Sequence, residues 1–269
     1  MNKKKNKTAE GRHPLGLLQQ MKCLSLLLLL MLTMSGCLYP SQSNSDPKTA
    51  YRESVNRIQS AIEAFQKDEG ILPILNADAD TPKYEKFRVD LSKLKQLGYL
   101  DDIPGTAFEN GGSAYFLIQN EEVKPTVKVM DLQTVQKVND VQRMVDQYKS
   151  VHNQQLPAGE KLYPGFHAVD MNLAAQAGSP SITLKSVYSG QELPFMMNEQ
   201  GTVFVDYAFD IMQALEKTDG SSDDEHAVSD DPDLRNHLLT HSYFVPVKSV
   251  PYTLENNTPV AQIVQNQSK

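Results

Sequence analysis

Val55-Asn56-Arg57-Ile58-Gln59-Ser60-Ala61-Ile62-Glu63-Ala64-Phe65-Gln66 can be set over Val138-Asn139-Asp140-Val141-Gln142-Arg143-Met144-Val145-Asp146-Gln147-Tyr148-Lys149, and every large apolar position then coincides. The agreement continues downstream. Each stretch is followed by Leu-Pro, at Leu72-Pro73 and Leu156-Pro157, then by Asp90-Leu91 against Asp170-Met171, Gly98 against Gly178, and Ala107-Phe108 against Val187-Tyr188. The repeated order of signals predicts two copies of one supersecondary unit. A simpler alternative is that any helix facing a core needs such a stripe, although the shared Asn, Gln, acidic residue and Leu-Pro go beyond helical periodicity.

Val55, Ile58, Ile62 and Phe65, and likewise Val138, Val141, Val145 and Tyr148, are spaced three and four apart, as on one face of an amphipathic helix. Asp90 to Leu97 and Asp170 to Ala177 read as short helices, each opened by a capping Asp and stopped at Gly98 or Gly178. Ala114 to Ile118 with Thr126 to Met130, and Leu193 to Met197 with Thr202 to Tyr207, read as antiparallel hairpins. The expected class is α+β: two tandem small units, residues 51–132 and 133–216, each a helix packed on a short antiparallel β-sheet. An acidic loop (217–233), a C-terminal packing segment (234–254) and a flexible tail (255–269) follow. The Pro residues in Val245-Pro246 and Val250-Pro251-Tyr252 predict extended chain at a sheet edge, because Pro cannot donate to a ladder.

Ahead of the repeat, Lys22 and the apolar run Leu24 to Leu32 end at Met34-Ser35-Gly36-Cys37. The run is short for a membrane span and closes on small residues, the pattern of an export signal. It resembles the lipobox of bacterial lipoproteins, in which a cysteine is acylated before cleavage on its N-terminal side. That resemblance makes residues 1–36 the signal peptide, with either Met1 or Met21 as the start, and Cys37 the lipidated residue. Residues 37–50 become a polar tether. Two or more acyl chains suffice for stable anchoring.

The whole chain has 26 Lys and Arg against 33 Asp and Glu; without residues 1–36, which carry six basic and one acidic side chain, 20 face 32, a net charge of −12. An acidic surface argues against nucleic acid as a partner and against a polybasic grip on lipid headgroups. Both cysteines precede residue 38, so no disulfide, thiolate metal site or cysteine nucleophile is expected in the folded part.

Candidate chemistry is sparse. His237 and His241 stand four apart in a short predicted helix, Leu234 to Ser242, which Asp231 is placed to cap with Pro232 in its first turn. Upstream, Asp219 to Asp233 holds seven acidic residues and His226, so a divalent metal can be drawn among them. The competing picture is a solvated acidic loop beside a surface helix, since neither EF-hand spacing nor His-Glu-x-x-His occurs. Asp206 and Asp210, also four apart, pair as acid and base on one reading and cap a helix or face water on the other. Tyr84, Phe87, Tyr99, Phe108, Tyr115 and Phe116 either line a groove or fill the first unit's core. No Gly-x-Ser-x-Gly elbow, phosphate loop or dinucleotide fingerprint is present, and no cofactor is expected.

The order helix, Gly70-x-Leu72-Pro73, short helix ending Leu97-Gly98-Tyr99-Leu100, Ile103-Pro104 and hairpin resembles the globular part of type II secretion pseudopilins and type IV pilins over residues 51–132, and more weakly over 133–216. The resemblance implies a helix lying on a small antiparallel sheet. Those families keep an uncleaved apolar helix with an acidic residue near its start, whereas here the apolar segment ends in Gly36-Cys37. Ser35-Gly36-Cys37-Leu38-Tyr39-Pro40, Asp78-Ala79-Asp80-Thr81-Pro82, Ala107-Phe108-Glu109-Asn110-Gly111-Gly112 and Phe244-Val245-Pro246 make the chain similar to uncharacterised lipoproteins of Bacillus-type bacteria. The resulting expectation is a non-enzymatic binding or envelope scaffold protein on the extracytoplasmic face of the cell membrane, held through Cys37, with an envelope protein or small ligand as partner. A transporter's substrate-binding lipoprotein and a metal-dependent envelope enzyme are the alternatives.

Overall fold

Helix α1 (Pro47–Glu69) shows why the repeat forms. Its stripe of Val55, Ile58, Ile62 and Phe65 is buried, and Glu53, Arg57 and Glu63 on other faces are exposed. The chain leaves α1 through Gly70, whose positive φ of 71° suits a residue without a Cβ. The computed structural model describes residues 47–175, 182–219 and 233–263, all within one compact unit spanning Asp46–Lys269. The export segment and Cys37 lie outside the described residues. Residues 47–50, expected to belong to the tether, form the first turn of α1 instead; Pro47 fits there because a helix's first N–H groups have no intrahelical acceptor.

After Leu72-Pro73 the chain makes a single bridge, Ile74 to Val89, and enters α2 (Leu91–Gln96). Asp90 caps α2 by accepting from the Lys93 amide at 2.9 Å. The strands β1 (Ala114–Gln119) and β2 (Thr126–Asp131) pair in register from Ala114↔Asp131 to Gln119↔Thr126. Phe116 and Ile118 enter the core beneath α1, while Leu117 points to a separate cluster on the other side. Burial on both faces explains why β1 is a continuous apolar run rather than an alternating one.

The second unit begins where the first ends. Asp131 closes β2 and caps α3 (Leu132–Val151), accepting from the amides of Gln133 and Thr134 at 3.2 and 2.9 Å. Next come β3 (Ala158–Tyr163), β4 (Phe166–Val169) and α4 (Met171–Ala174), the last capped by Asp170 through the amides of Asn172 and Leu173. Strands β5 (Phe195–Asn198) and β6 (Val203–Val205) complete an antiparallel sheet in the order β3-β4-β5-β6. The β3–β4 pair was not predicted; its counterpart in the first unit is the lone Ile74–Val89 bridge. Helix α4 is shorter than predicted, and Gly178 lies outside the described residues.

The repeat is visible in hydrogen bonds as well as in elements. Gln59 Oε1 accepts from the Val127 amide at 2.8 Å, and its Nε2 donates to the Pro125 carbonyl at 3.0 Å and to Glu63 Oε1. Gln142 does the same in the second unit: Oε1 accepts from the Val203 amide at 2.7 Å, and Nε2 donates to the Gly201 carbonyl at 2.9 Å and to Asp146 Oδ1. In both units a helix glutamine thus clips the start of the hairpin's second strand to the helix. The shared backbone function accounts for a shared polar residue that an apolar stripe does not require.

Helices α5 (Ala208–Asp219) and α6 (Arg235–Thr240) and the hairpin of β7 (Tyr252–Glu255) and β8 (Thr258–Ala261) complete the described chain. Residues 217–219, assigned to the acidic loop, belong to α5, and 220–232 lie outside the described residues. The predicted flexible tail is also corrected as far as Ala261. Asn256 and Asn257, at φ 48° and 60°, make a two-residue turn of the kind Asn tolerates, and Tyr252 and Ala261 at the hairpin's open end are buried. Between α6 and β7 the proline-containing segment runs along two strand edges. Val129 donates to the Tyr243 carbonyl at 2.7 Å and accepts from the Val245 amide at 2.9 Å, and Val205 donates to the Lys248 carbonyl at 2.8 Å. One segment therefore straps both units.

Gln142→Leu leaves the Val203 amide and the Gly201 carbonyl without their side-chain partner, and a loss of about 1–3 kcal/mol is expected in denaturant titration. Gln59→Leu is expected to lose a similar amount, and Gln142→Glu, which keeps only the acceptor, less.

Candidate functional site

A concavity of about 740 Å³ lies between the Asp80–Glu85 loop of the first unit, the α3–β6 side of the second, and the strap. Tyr84, Phe166, Phe204 and Pro246 supply apolar surface, and Asp80, Lys83, Glu85, Arg235 and Lys248 supply charge. Arg235 and Lys248 are each held by a carboxylate. Arg235 Nε donates to Asp233 Oδ2 at 2.9 Å, Nη2 to the same oxygen at 2.6 Å, and Nη1 to the Ser249 carbonyl and hydroxyl at 3.2 and 3.0 Å. Its guanidinium also lies 4.7 Å from the centre of the Tyr84 ring, whose hydroxyl donates to Asn236 Oδ1 at 3.2 Å. Lys248 Nζ sits 3.1 Å from Glu85 Oε1. The groove therefore has a rigid, locally neutralised charged wall, because a planar guanidinium gripped by a carboxylate loses little freedom when a ligand arrives.

Of the six aromatic residues singled out in the first unit, only Tyr84 lines this groove. Phe116 belongs to the core, Tyr99 meets Phe65 edge to face at 5.3 Å, and Phe108 is 54% exposed against Tyr115. They form no common site.

His237 lies in α6, and His241 is the residue just past its end. Among the described residues no three His, Cys, Asp or Glu side chains gather in a group able to hold a metal ion; His226 lies outside them. The predicted cap Asp231 also lies outside, and Asp233 accepts from the Arg235 amide at 3.1 Å.

Asp206 and Asp210 are both buried, and their environments differ. Asp206 is saturated: Oδ1 accepts from the Ala208 amide and the Tyr252 hydroxyl, each at 2.9 Å, and Oδ2 accepts from the Tyr163 hydroxyl at 2.9 Å. It starts α5 and ties it to β3 and β7, so it is a structural cap. Burial and the carboxylate together hold the Tyr163 and Tyr252 hydroxyls protonated well above the usual phenol range. Asp210, only 2% exposed, accepts on Oδ2 from the Ser186 hydroxyl at 2.7 Å, and Ser189 faces the same carboxylate. Its Oδ1 is buried and meets no donor in hydrogen-bonding geometry among the described residues. Burial raises the pKa of Asp210 above the ordinary carboxylate value, nearby Asp206 adds to the rise, and the two serines oppose it. The two aspartates do not bond to one another through any described contact, so the acid and base pairing has no geometric support.

Sequence reasoning missed Ser186 and Lys128. Ser186 sits in an unremarkable Lys-Ser-Val run. Lys128 Nζ donates to the Leu239 and Ser242 carbonyls at 2.6 and 2.7 Å, anchoring the end of α6 to β2, and burial lowers its pKa to about 8. A lysine in an otherwise apolar strand was the available signal.

Residues 51–131 match the family described as YphF family N-terminal domain. No curated protein and no solved structure matches the chain. The family match covers the first unit and stops at Asp131, the residue that caps the second unit's helix.

Because Asp210 holds its proton more tightly when folded than when unfolded, its contribution favours the fold at low pH and is lost as pH rises through the raised folded value. Asp210→Asn removes this decline. The stability of the variant relative to the parent is expected to increase from about pH 4 to neutrality, starting at the ordinary carboxylate range; a pH-independent difference in denaturation midpoint contradicts the assignment.

Proposed function

We propose that the chain is a lipid-anchored binding or scaffold protein of the extracytoplasmic membrane face, which takes an envelope protein or small ligand in the groove beside the strap. The carrying observation is the groove itself: an apolar and aromatic floor with polar groups already fixed by their neighbours, the usual make-up of a recognition site. Anchoring rests on Met34-Ser35-Gly36-Cys37. No helix among the described residues is long and apolar enough to cross a membrane.

The strap favours a fixed groove over a hinged receptor. A transporter's two-lobed receptor closes around its solute by moving its lobes, whereas here residues 243–248 bond to both β2 and β6, and Tyr188 packs against both main cores.

Two measurements test this reading. Cys37→Ser is expected to leave the membrane fraction and, unlike the parent, take up no radiolabelled palmitate; equal retention of parent and variant without parental labelling overturns the anchor. A photo-crosslinking residue at Phe204, in the groove, is expected to yield a discrete adduct in intact cells, and the same residue at exposed Glu160 on β3 none; indistinguishable adducts rule out the groove.

A further inference from the structure

We propose that a second, smaller cavity binds a small zwitterionic amine of the amino-acid class, with its ammonium on Asp210 and its anionic end toward Lys48 and Lys217. The cavity holds about 210 Å³ and lies among the first turn of α1, helix α5, the Val187-Tyr188 turn and residues 238–244. It is separate from the large groove and shares no lining residue with it.

Three observations meet there. First, Asp210 lines the cavity, and its buried Oδ1 meets no donor in hydrogen-bonding geometry among the described residues, although Ser186 serves its other oxygen and Ser189 faces the same carboxylate. An unsatisfied buried carboxylate oxygen is costly to keep, and a donor arriving with a ligand removes that cost. An ammonium brings three N–H donors together with the compensating charge. Second, Tyr188 and Phe244 stand in the wall beside the apolar Val187 and Leu238, and aromatic faces attract a desolvated cation. Third, the lining also includes Lys48 and Lys217, both exposed. A simple cation passing them meets like charge, whereas a molecule with an anionic group beyond its ammonium is complementary to both ends. With about 30 Å³ per water-sized group, the space takes about seven such groups, the size of a small amino acid.

The test is an amide NMR titration of the full chain in detergent micelles. L-alanine is expected to give saturable shifts centred on Val187, Tyr188, Asp210, Leu238 and Phe244. Ethylamine, which lacks the carboxylate, is expected to bind about tenfold more weakly, and propionate, which lacks the ammonium, not measurably. Asp210→Asn is expected to weaken L-alanine binding by at least about tenfold, the scale of a lost charge-assisted hydrogen bond. A Lys48→Ala, Lys217→Ala double variant, altered only at exposed positions, is expected to weaken L-alanine and to bind ethylamine at least as tightly as the parent does, because the like charge it meets is gone. Phosphoethanolamine binding more tightly than L-alanine supports the same ammonium–anion site and assigns it to a lipid headgroup. The proposal is overturned by absence of saturation with either zwitterion, by shifts centred on the Tyr84 and Phe204 groove, or by an Asp210→Asn variant that binds as the parent does. Failure here leaves the groove reading standing, because the crosslinking position at Phe204 lies in the other cavity.

Discussion

The edges of β2 and β6 would each expose a row of backbone donors and acceptors if the chain ended at α5, and an open edge invites pairing with whatever strand comes next. One stretch of the same chain occupies both. Tyr243 and Val245 complete the hydrogen bonding of Val129, and five residues after Tyr243, Lys248 accepts from Val205. Prolines suit such a segment, since an outer strand needs few donors of its own; Pro246 lies between the two contacts. Val245 and Val247 pack with Leu117, Met130 and Tyr84 on the back of the first hairpin, so the strap also covers apolar surface that α1 cannot reach. The large groove exists because this strap stands beside the second sheet, and its charged wall exists because Arg235 binds Asp233 and Ser249 across the strap's turn.

Each unit alone is small. A helix over two strands buries one face of the hairpin and leaves the other wet, and a domain of that size has little core to offset the entropy of ordering its backbone. The second unit adds β3 and β4 to its hairpin, whereas the first has only the Ile74–Val89 bridge at the corresponding place. Asp131, the last residue of one hairpin and the cap of the next helix, leaves no linker between them. The family match ends at this residue, yet the glutamine clip and the capped short helix recur beyond it. What recurs is the set of side chains that satisfy backbone groups, while the surfaces around them differ.

The candidate sites were legible only in part. Asp206 and Asp210 stood out as a pair near the end of the second hairpin; their spacing says nothing of which is saturated, and α5, which starts between them, was not read from the sequence. That depends on Tyr163, Tyr252 and Ser186, which come from 43 residues before Asp206, 46 after it and 24 before Asp210. His237 and His241 were conspicuous for the opposite reason: their residue type draws the eye, yet no described acidic or histidine side chains complete a metal set around them. The hairpin of β7 and β8 carried a readable signal in Asn256-Asn257, overlooked because the flanking residues are polar.

From residue order alone followed the two amphipathic helices, the capping aspartates at 90 and 170, the two central hairpins and the α+β class, because each of these depends on neighbours within a few positions: a 3.6-residue period, a side chain reaching its own helix end, a turn between apolar runs. Only the folded chain decided where the strap runs, which carboxylate keeps an oxygen without a donor among the described residues, and where the groove and the smaller cavity lie. Those features rest on contacts between residues far apart in sequence, such as Val129 with Phe244 and Tyr84 with Asn236, and no local pattern records which distant backbone or hydroxyl will arrive.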